Sequence, residues 1–138
     1  MPAEKRYVVD ANVIVSALLL PDSTPRRAFD RASREGDVLL SAGIIGELDD
    51  VLRRPALNRY LSEEDRIHFL VRLLRESVVL PARPAAGQSR DPKDNKYLDL
   101  AAAGHATCII SGDKDLLVLN TFRGIPIITP RQFLESDL

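Results

Sequence analysis

Five short, almost uninterrupted apolar runs, each bounded by turn or helix signals, constrain this chain more than any other feature. Tyr7-Val8-Val9, Val38 to Leu40, Val78 to Leu80, Thr107 to Ile110 and Ile125 to Ile128 are rich in β-branched residues and read as strands. A strand with one face in water would alternate polar and apolar side chains, and these do not. The sequence therefore predicts a parallel sheet covered on both faces, with helices between successive strands. This is an α/β fold: a three-layer α/β/α sandwich around a central parallel sheet of roughly five strands.

The segments between the runs carry helical signals. Val13 to Leu20 stays apolar until Pro21 stops it, and Thr24-Pro25 reads as a cap and first-turn pair for a helix that ends at Gly36. From Ala42, residues Ile44, Leu48, Val51 and Leu52 fall on one stripe. Ser62 caps the next helix with Asp65 in its first turn, and Ile67, Leu70, Val71 and Leu74 are its expected buried stripe. Pro81 to Pro92 has the composition of a linker, but a boundary there would leave too small a C-terminal piece to fold alone, so it reads as a loop. Asp91-Pro92 opens a helix reaching about Gly104, Asp113 begins another, and Pro130 starts a short last one with Phe133 and Leu134.

A chain of 138 residues, 45% hydrophobic, suits one domain over 1–138 with its own core. Its formal net charge of -1 gives no bulk attraction to a polyanion, so any nucleic acid must be gripped locally. The one cysteine, Cys108, lies inside a strand run and excludes both a disulfide and a cysteine-rich metal site. Lys5-Arg6 ahead of an apolar stretch imitates a secretory signal, but Asp10 and Asn12 interrupt it. An acid in the middle of an inserting segment costs about 2.5–3.5 kcal/mol, and no small-residue cleavage site precedes Pro21. A cytoplasmic protein without a membrane span is the expectation.

In alternating βα topology a strand's C-terminus and the start of the next helix share one edge of the sheet, where open α/β sheets bind ligands. That edge collects acids. Asp10 ends the first strand, Glu47 lies early in the helix after the second, Asp94 is in the first turn of its helix, and Asp113 follows the fourth strand. Asp10, embedded in an otherwise apolar junction, is better explained by a site than by solubility. Asp94 shares a helical stripe with Tyr97, Leu98, Ala101 and Ala102, although an acid in a first turn also answers the helix dipole. Glu47 and Asp49 flank the apolar arc of their helix on opposite sides, and periodicity does not choose between them. Asn12 reads equally as a helix cap or as a residue holding Asp10 or a water. Ser111-Gly112 forms the turn that delivers Asp113, for which Asp115 is a substitute.

Clustered carboxylates repel: two charges ~4 Å apart at an effective dielectric near 20 interact by about 4 kcal/mol. A shared cation relieves this, and oxygen-only ligation favours Mg²⁺ or Mn²⁺. His68 and His105 fall away from the acids, which argues against zinc.

These residues resemble the PIN domain family, in particular its VapC-like members that are toxins of type II toxin–antitoxin pairs. The resemblance rests on Val9-Asp10-Ala11-Asn12-Val13 with Ser16, Glu47-Leu48 ahead of Val51-Leu52, Asp91-Pro92-Lys93-Asp94-Asn95, Ser111-Gly112-Asp113-Lys114-Asp115-Leu116-Leu117, and Ile127-Ile128-Thr129-Pro130 with Phe133-Leu134. It implies RNA cleavage with Mg²⁺ or Mn²⁺ held by Asp10, Glu47, Asp94 and Asp113, and it selects Glu47 over Asp49. Asp113 and Asp115 both fit the last metal position, with Asp113 ranked first. It also implies a small antitoxin partner and a homodimer.

The chemistry expected on this basis is in-line hydrolysis of an RNA phosphodiester to leave a 5′ phosphate. Arg90, Lys93, Lys96 and Lys114 flank the acidic rim as candidate phosphate contacts. Three rivals are set against it. A receiver-type signalling domain needs a Lys at the end of its last strand, and Ile127-Ile128-Thr129-Pro130 has none. A haloacid-dehalogenase-type phosphatase needs a second Asp where this chain has Asn12. A catalytically silent PIN-like domain that only binds RNA or protein has no distinguishing residue.

Overall fold

A computed structural model describes residues 4–82 and 94–138. Five strands, β1 (Arg6–Val9), β2 (Asp37–Leu40), β3 (Val78–Val79), β4 (Cys108–Ile110) and β5 (Ile127–Ile128), form one sheet in the order β3-β2-β1-β4-β5. Every pairing is parallel, with Val8 opposite Leu39 on one side and Ile109 on the other. Successive residues of a strand point to opposite faces, and Tyr7, Val8 and Val9 are all buried, as are Val38, Leu39 and Leu40. Both faces are therefore covered at these central strands, as their unbroken apolar runs predicted, whereas on the edge strand β3 Val79 is exposed. The strand order also separates this chain from receiver domains, whose sheets run 2-1-3-4-5.

The helices are α1 (Ala11–Leu19), α2 (Thr24–Glu35), α3 (Ala42–Leu52), α4 (Glu63–Glu76), α5 (Asn95–Gly104), α6 (Lys114–Leu117) and α7 (Pro130–Leu134). Their starts are written locally. Ser62 and Asp65 make a reciprocal capping box at α4, and Thr129 with Gln132 makes another at α7. At α2 the cap is Ser23, whose hydroxyl accepts from Arg26 N, so Thr24 is the first helical residue rather than the cap expected from Thr24-Pro25. None of the helices among the described residues is long and apolar enough to cross a membrane. The expected helix start at Asp91-Pro92 lies outside the described residues, as does most of the expected 81–92 loop.

Two glycines let helices and strands approach closely. A Cβ on Gly36 would sit 2.3 Å from the Lys5 carbonyl oxygen, where α2 hands the chain back to the sheet beside β1. A Cβ on Gly104 would meet Leu39 Cδ1 at 2.4 Å, so α5 lies flush on β2. Beyond it His105, exposed, takes the left-handed conformation at φ 50 that ends the helix.

The expected stripe of α3 is the observed one: Ile44, Leu48, Val51 and Leu52 are buried. That of α4 holds only at Leu70: Arg66 and Leu73 are buried, Phe69 and Leu70 pack against the core, and Ile67, Val71 and Leu74 are exposed. Arg66 is held by Asp49, with Nη1 donating to Oδ1 at 2.6 Å, which lets an arginine share the inward face with Phe69, Leu70 and Leu73. Periodicity registers hydrophobicity and cannot see an arginine whose partner is 17 residues distant.

Candidate active site

In a doubly wound sheet the chain departs in opposite directions from two adjacent strands, leaving a crevice outside their carboxyl ends. Here those strands are β1 and β4, neighbours whose connections lead to β2 and to β5. Asp10 follows β1 and Ser111 follows β4, so both stand at this crevice.

Asp10 is 4% exposed and is itself the cap of α1, its Oδ1 accepting from Asn12 N at 3.0 Å. The capping role considered for Asn12 belongs to Asp10, and Asn12 stands exposed above it. Ser111 is fully buried and its hydroxyl donates to Asp10 Oδ2 at 2.6 Å. The same hydroxyl oxygen accepts from Asp113 N at 3.0 Å, which ties the turn carrying Asp113 to Asp10. Asp113 in turn caps α6 by accepting from Asp115 N at 2.9 Å. Asp113 is half-buried and lines a cleft together with Asp10, whereas Asp115 is exposed one step further along.

Glu47 arrives from α3 and meets Asp10 through a third residue. The Tyr97 hydroxyl lies 2.5 Å from Glu47 Oε1 and 3.3 Å from Asp10 Oδ1, and it accepts from Ala11 N at 3.0 Å. Lys96 Nζ pairs with the same Glu47 oxygen at 3.2 Å. Asp49, the alternative that periodicity left open, is engaged elsewhere by Arg53 and Arg66. Asp94 is buried one turn ahead of Tyr97, at the N-terminus of α5, and its side chain does not cap that helix. The structure thus joins Asp10, Glu47 and Asp113 through the two hydroxyls of Tyr97 and Ser111, and it sets Asp94 on the helix that carries Tyr97. Among the described residues no group of three or more His, Cys, Asp or Glu side chains is drawn together tightly enough to hold a metal ion by itself.

The electrostatics follow from the burial. Removal from water raises the Asp10 carboxyl above its ordinary range and the nearby Glu47 charge adds to this, while the hydrogen bonds from Ser111 and the Asn12 amide oppose it. Burial, the Asp10 charge and the bond to Glu47 push the Tyr97 phenol far up, so it stays a neutral donor. By contrast, Cys108 on β4 is a core thiol pushed up by burial to about 12.

A hard divalent cation fits this donor set. Mg²⁺ is typically bound by one or two carboxylates and completes its shell with waters and substrate phosphates rather than with an all-protein cage. Two oxyanions held about one hydroxyl, one of them buried and made costly by that burial, match this requirement. His68 and His105 are both exposed and away from the acids.

The cleft beside Asp10 and Asp113 has a volume of about 630 Å³. Its walls come from the starts of α1, α2 and α7, including Ser16, Thr24, Thr129 and Arg131. Arg131 is the one cationic side chain among the described residues lining it, a residue the sequence reading did not single out. Of the cations that reading named, Lys96 is turned to Glu47, Lys114 is exposed on α6, and Arg90 and Lys93 lie outside the described residues. By periodicity Tyr97 belongs to the core stripe of α5; a tyrosine rather than phenylalanine there beside an acid is the available signal, since a buried phenol needs a polar partner.

A doubly wound parallel sheet with acids at its switch point defines a class of ligand-binding α/β protein, and comparison with known proteins narrows it. The PIN domain family model matches residues 6–115, and the chain belongs to that family. An uncharacterized protein of Methanocaldococcus jannaschii, MJ1680, is 34% identical over 141 residues, covering 95% of this chain and 90% of that protein. Among solved structures, PAE2754 from Pyrobaculum aerophilum is similar with a TM-score of 0.61 at 14% identity, covering 96% of this chain and 88% of the other. VapBC2 from Rickettsia felis, solved bound to a DNA fragment from its promoter, also matches with a TM-score of 0.61, at 11% identity and covering 90% and 98% of the two chains. At those identities the two structures speak for the fold.

Proposed function

We propose that the chain, acting as one domain over 1–138, is a metal-dependent ribonuclease that hydrolyses RNA phosphodiester bonds, and that it is the toxin of a toxin–antitoxin pair. The observation that carries the nuclease reading is Asp10: a buried carboxylate at the switch point to which Glu47 and Asp113 are tied through Tyr97 and Ser111. PIN domains are generally nucleases, which agrees with it. Asp10, Glu47, Asp94 and Asp113 would hold the Mg²⁺ or Mn²⁺. Asp113 is preferred to Asp115 because it lines the cleft. Bound there, such an ion would supply an activated water and charge stabilisation for the departing 3′ oxygen.

This chain's residues do the rest. Ser111 and the Asn12 amide fix both oxygens of Asp10, and the cleft admits the strand, with Arg131 on its wall to meet a phosphate. The motif resemblance to toxin members of the family supports a small antitoxin protein as partner and a homodimer, in a reducing cytoplasm.

The test is cleavage of labelled RNA by the pure protein in Mg²⁺, Mn²⁺ or EDTA, beside Asp10→Asn and Asp94→Asn variants. Cleavage in metal, abolished by EDTA and lowered about 10²–10³-fold in each variant, is the expected outcome. Cleavage indifferent to EDTA and to both substitutions rejects the metal mechanism, and metal-dependent RNA binding without cleavage assigns the chain to a silent domain.

A further inference from the structure

Two acids that repel across a buried gap need something to hold them in place before a cation arrives. Tyr97 is 2% exposed, and its ring position is fixed by the packing of α5. Its hydroxyl stands where three elements meet: β1 through Asp10, α1 through the Ala11 amide, and α3 through Glu47. A phenol has one proton to give. With the Ala11 N–H already directed at the oxygen, that proton goes to a carboxylate, and the 2.5 Å contact against the 3.3 Å one places it on Glu47.

Asp10 is secured without Tyr97, by Ser111 and the Asn12 amide. Glu47 is only half-buried; among the described residues the rigid Tyr97 hydroxyl and the flexible Lys96 hold its carboxylate. A glutamate held by a long flexible cation alone keeps much of its rotamer freedom, and that freedom is lost when it becomes a ligand.

Resting on the metal-dependent reading above, we infer that Tyr97 is a positioning residue: its hydroxyl holds the Glu47 carboxylate against Asp10, so that the pair is pre-arranged to receive a divalent cation. It acts through Glu47 and is not itself a ligand. This explains why a buried stripe otherwise made of Leu98, Leu100 and Ala101 carries a phenol at the one position facing two acids.

The experiment measures Mn²⁺ binding by calorimetry in wild type, Tyr97→Phe, Glu47→Gln and the double variant, with thermal unfolding in EDTA as the control for folding. Tyr97→Phe is expected to weaken Mn²⁺ about tenfold, as the loss of a residue orienting a ligand commonly does. In the Glu47→Gln background the same change is expected to have no further effect, because the carboxylate it serves is gone. A merely structural tyrosine would lower the unfolding temperature and weaken Mn²⁺ equally in both backgrounds, which overturns the inference, as does equal or tighter binding by Tyr97→Phe. If wild type itself binds no Mn²⁺, the metal-dependent reading fails and the inference with it; wild-type binding left unchanged in Tyr97→Phe sinks the inference alone.

A second measurement needs no change at Tyr97. The chain has three tyrosines and no tryptophan, so replacing Tyr7 and Tyr60 with phenylalanine leaves Tyr97 as the sole tyrosine chromophore. Its near-ultraviolet absorbance is expected to shift on Mn²⁺ addition with the half-saturation seen by calorimetry. A spectrum that does not move while Mn²⁺ binds overturns the inference.

Discussion

The carboxyl edge around Asp10 and the outer face of α4 invert each other's chemistry. At the edge, polar side chains are buried: Asp10, Ser111 and Asp94 are each at most 5% exposed. On α4, apolar side chains are out: Ile67 is 46% and Val71 43% exposed, while Arg66 is buried. Both regions are helical or helix-adjacent, and in both the local signals for structure were correct. The difference lies in what long-range partners supply. Asp10 can be buried because Ser111, from 101 residues away, and the Asn12 amide meet its two oxygens. Arg66 can be buried because Asp49 meets it, and it shares the inward face of α4 with Leu73.

The sharpest way to break this comparison is on α4. Leu73→Ala is expected to cost about 2–5 kcal/mol in urea unfolding, the range for truncating a buried leucine. A cost near zero would mean that α4 faces the other way, as its hydrophobic stripe suggests.

The next largest effect is at the edge. Ser111→Ala removes the donor to Asp10 Oδ2 and the acceptor of the Asp113 amide together, and Mn²⁺-supported RNA cleavage is expected to fall about tenfold with KM little changed. Unaltered cleavage would show that Asp10 and Asp113 do not depend on their shared hydroxyl.

A smaller effect concerns pH. The Asp10 carboxyl is raised in the fold chiefly by burial, so the native state holds its proton more tightly than the unfolded chain. In EDTA its contribution is therefore neutral below the ordinary value of 3.8, grows unfavourable as pH rises from there toward the folded value, and stays at its full size above it. Asp10→Asn is accordingly expected to raise the melting temperature of the metal-free protein at pH 7, with the gain shrinking toward pH 4. A variant less stable than wild type at pH 7 would show that hydrogen bonds outweigh desolvation there. The smallest expected effect returns to α4: Val71→Ser should stay within about 0.5 kcal/mol, as exposed substitutions do.

These contrasts mark what could be read from sequence. The strand runs were legible because burial on both faces leaves an unbroken apolar signature, and the α3 stripe because Ile44, Leu48, Val51 and Leu52 have no charged competitor on that face. The edge on which Asp10 and Asp113 meet followed from alternation alone. The sheet order did not, because no local pattern says which neighbour a strand takes. Periodicity could not separate Glu47 from Asp49, since the distinction lies in what each meets: Tyr97 and Lys96 for one, Arg53 and Arg66 for the other. Arg131 was invisible for a similar reason, being brought to the cleft by a helix at the other end of the chain.

Gly104 sits at the opposite end of α5 from Asp94, ten residues or roughly 15 Å along the axis, and seven residues from Tyr97. With Leu39 Cδ1 only 2.4 Å from where a methyl would be, α5 is a lever whose fulcrum has no slack. Where the phenol and the acid come to rest is thus decided by the absence of a side chain far from any chemistry. Anyone seeking to retune this edge could turn that distant hinge point and leave every reactive group as it is.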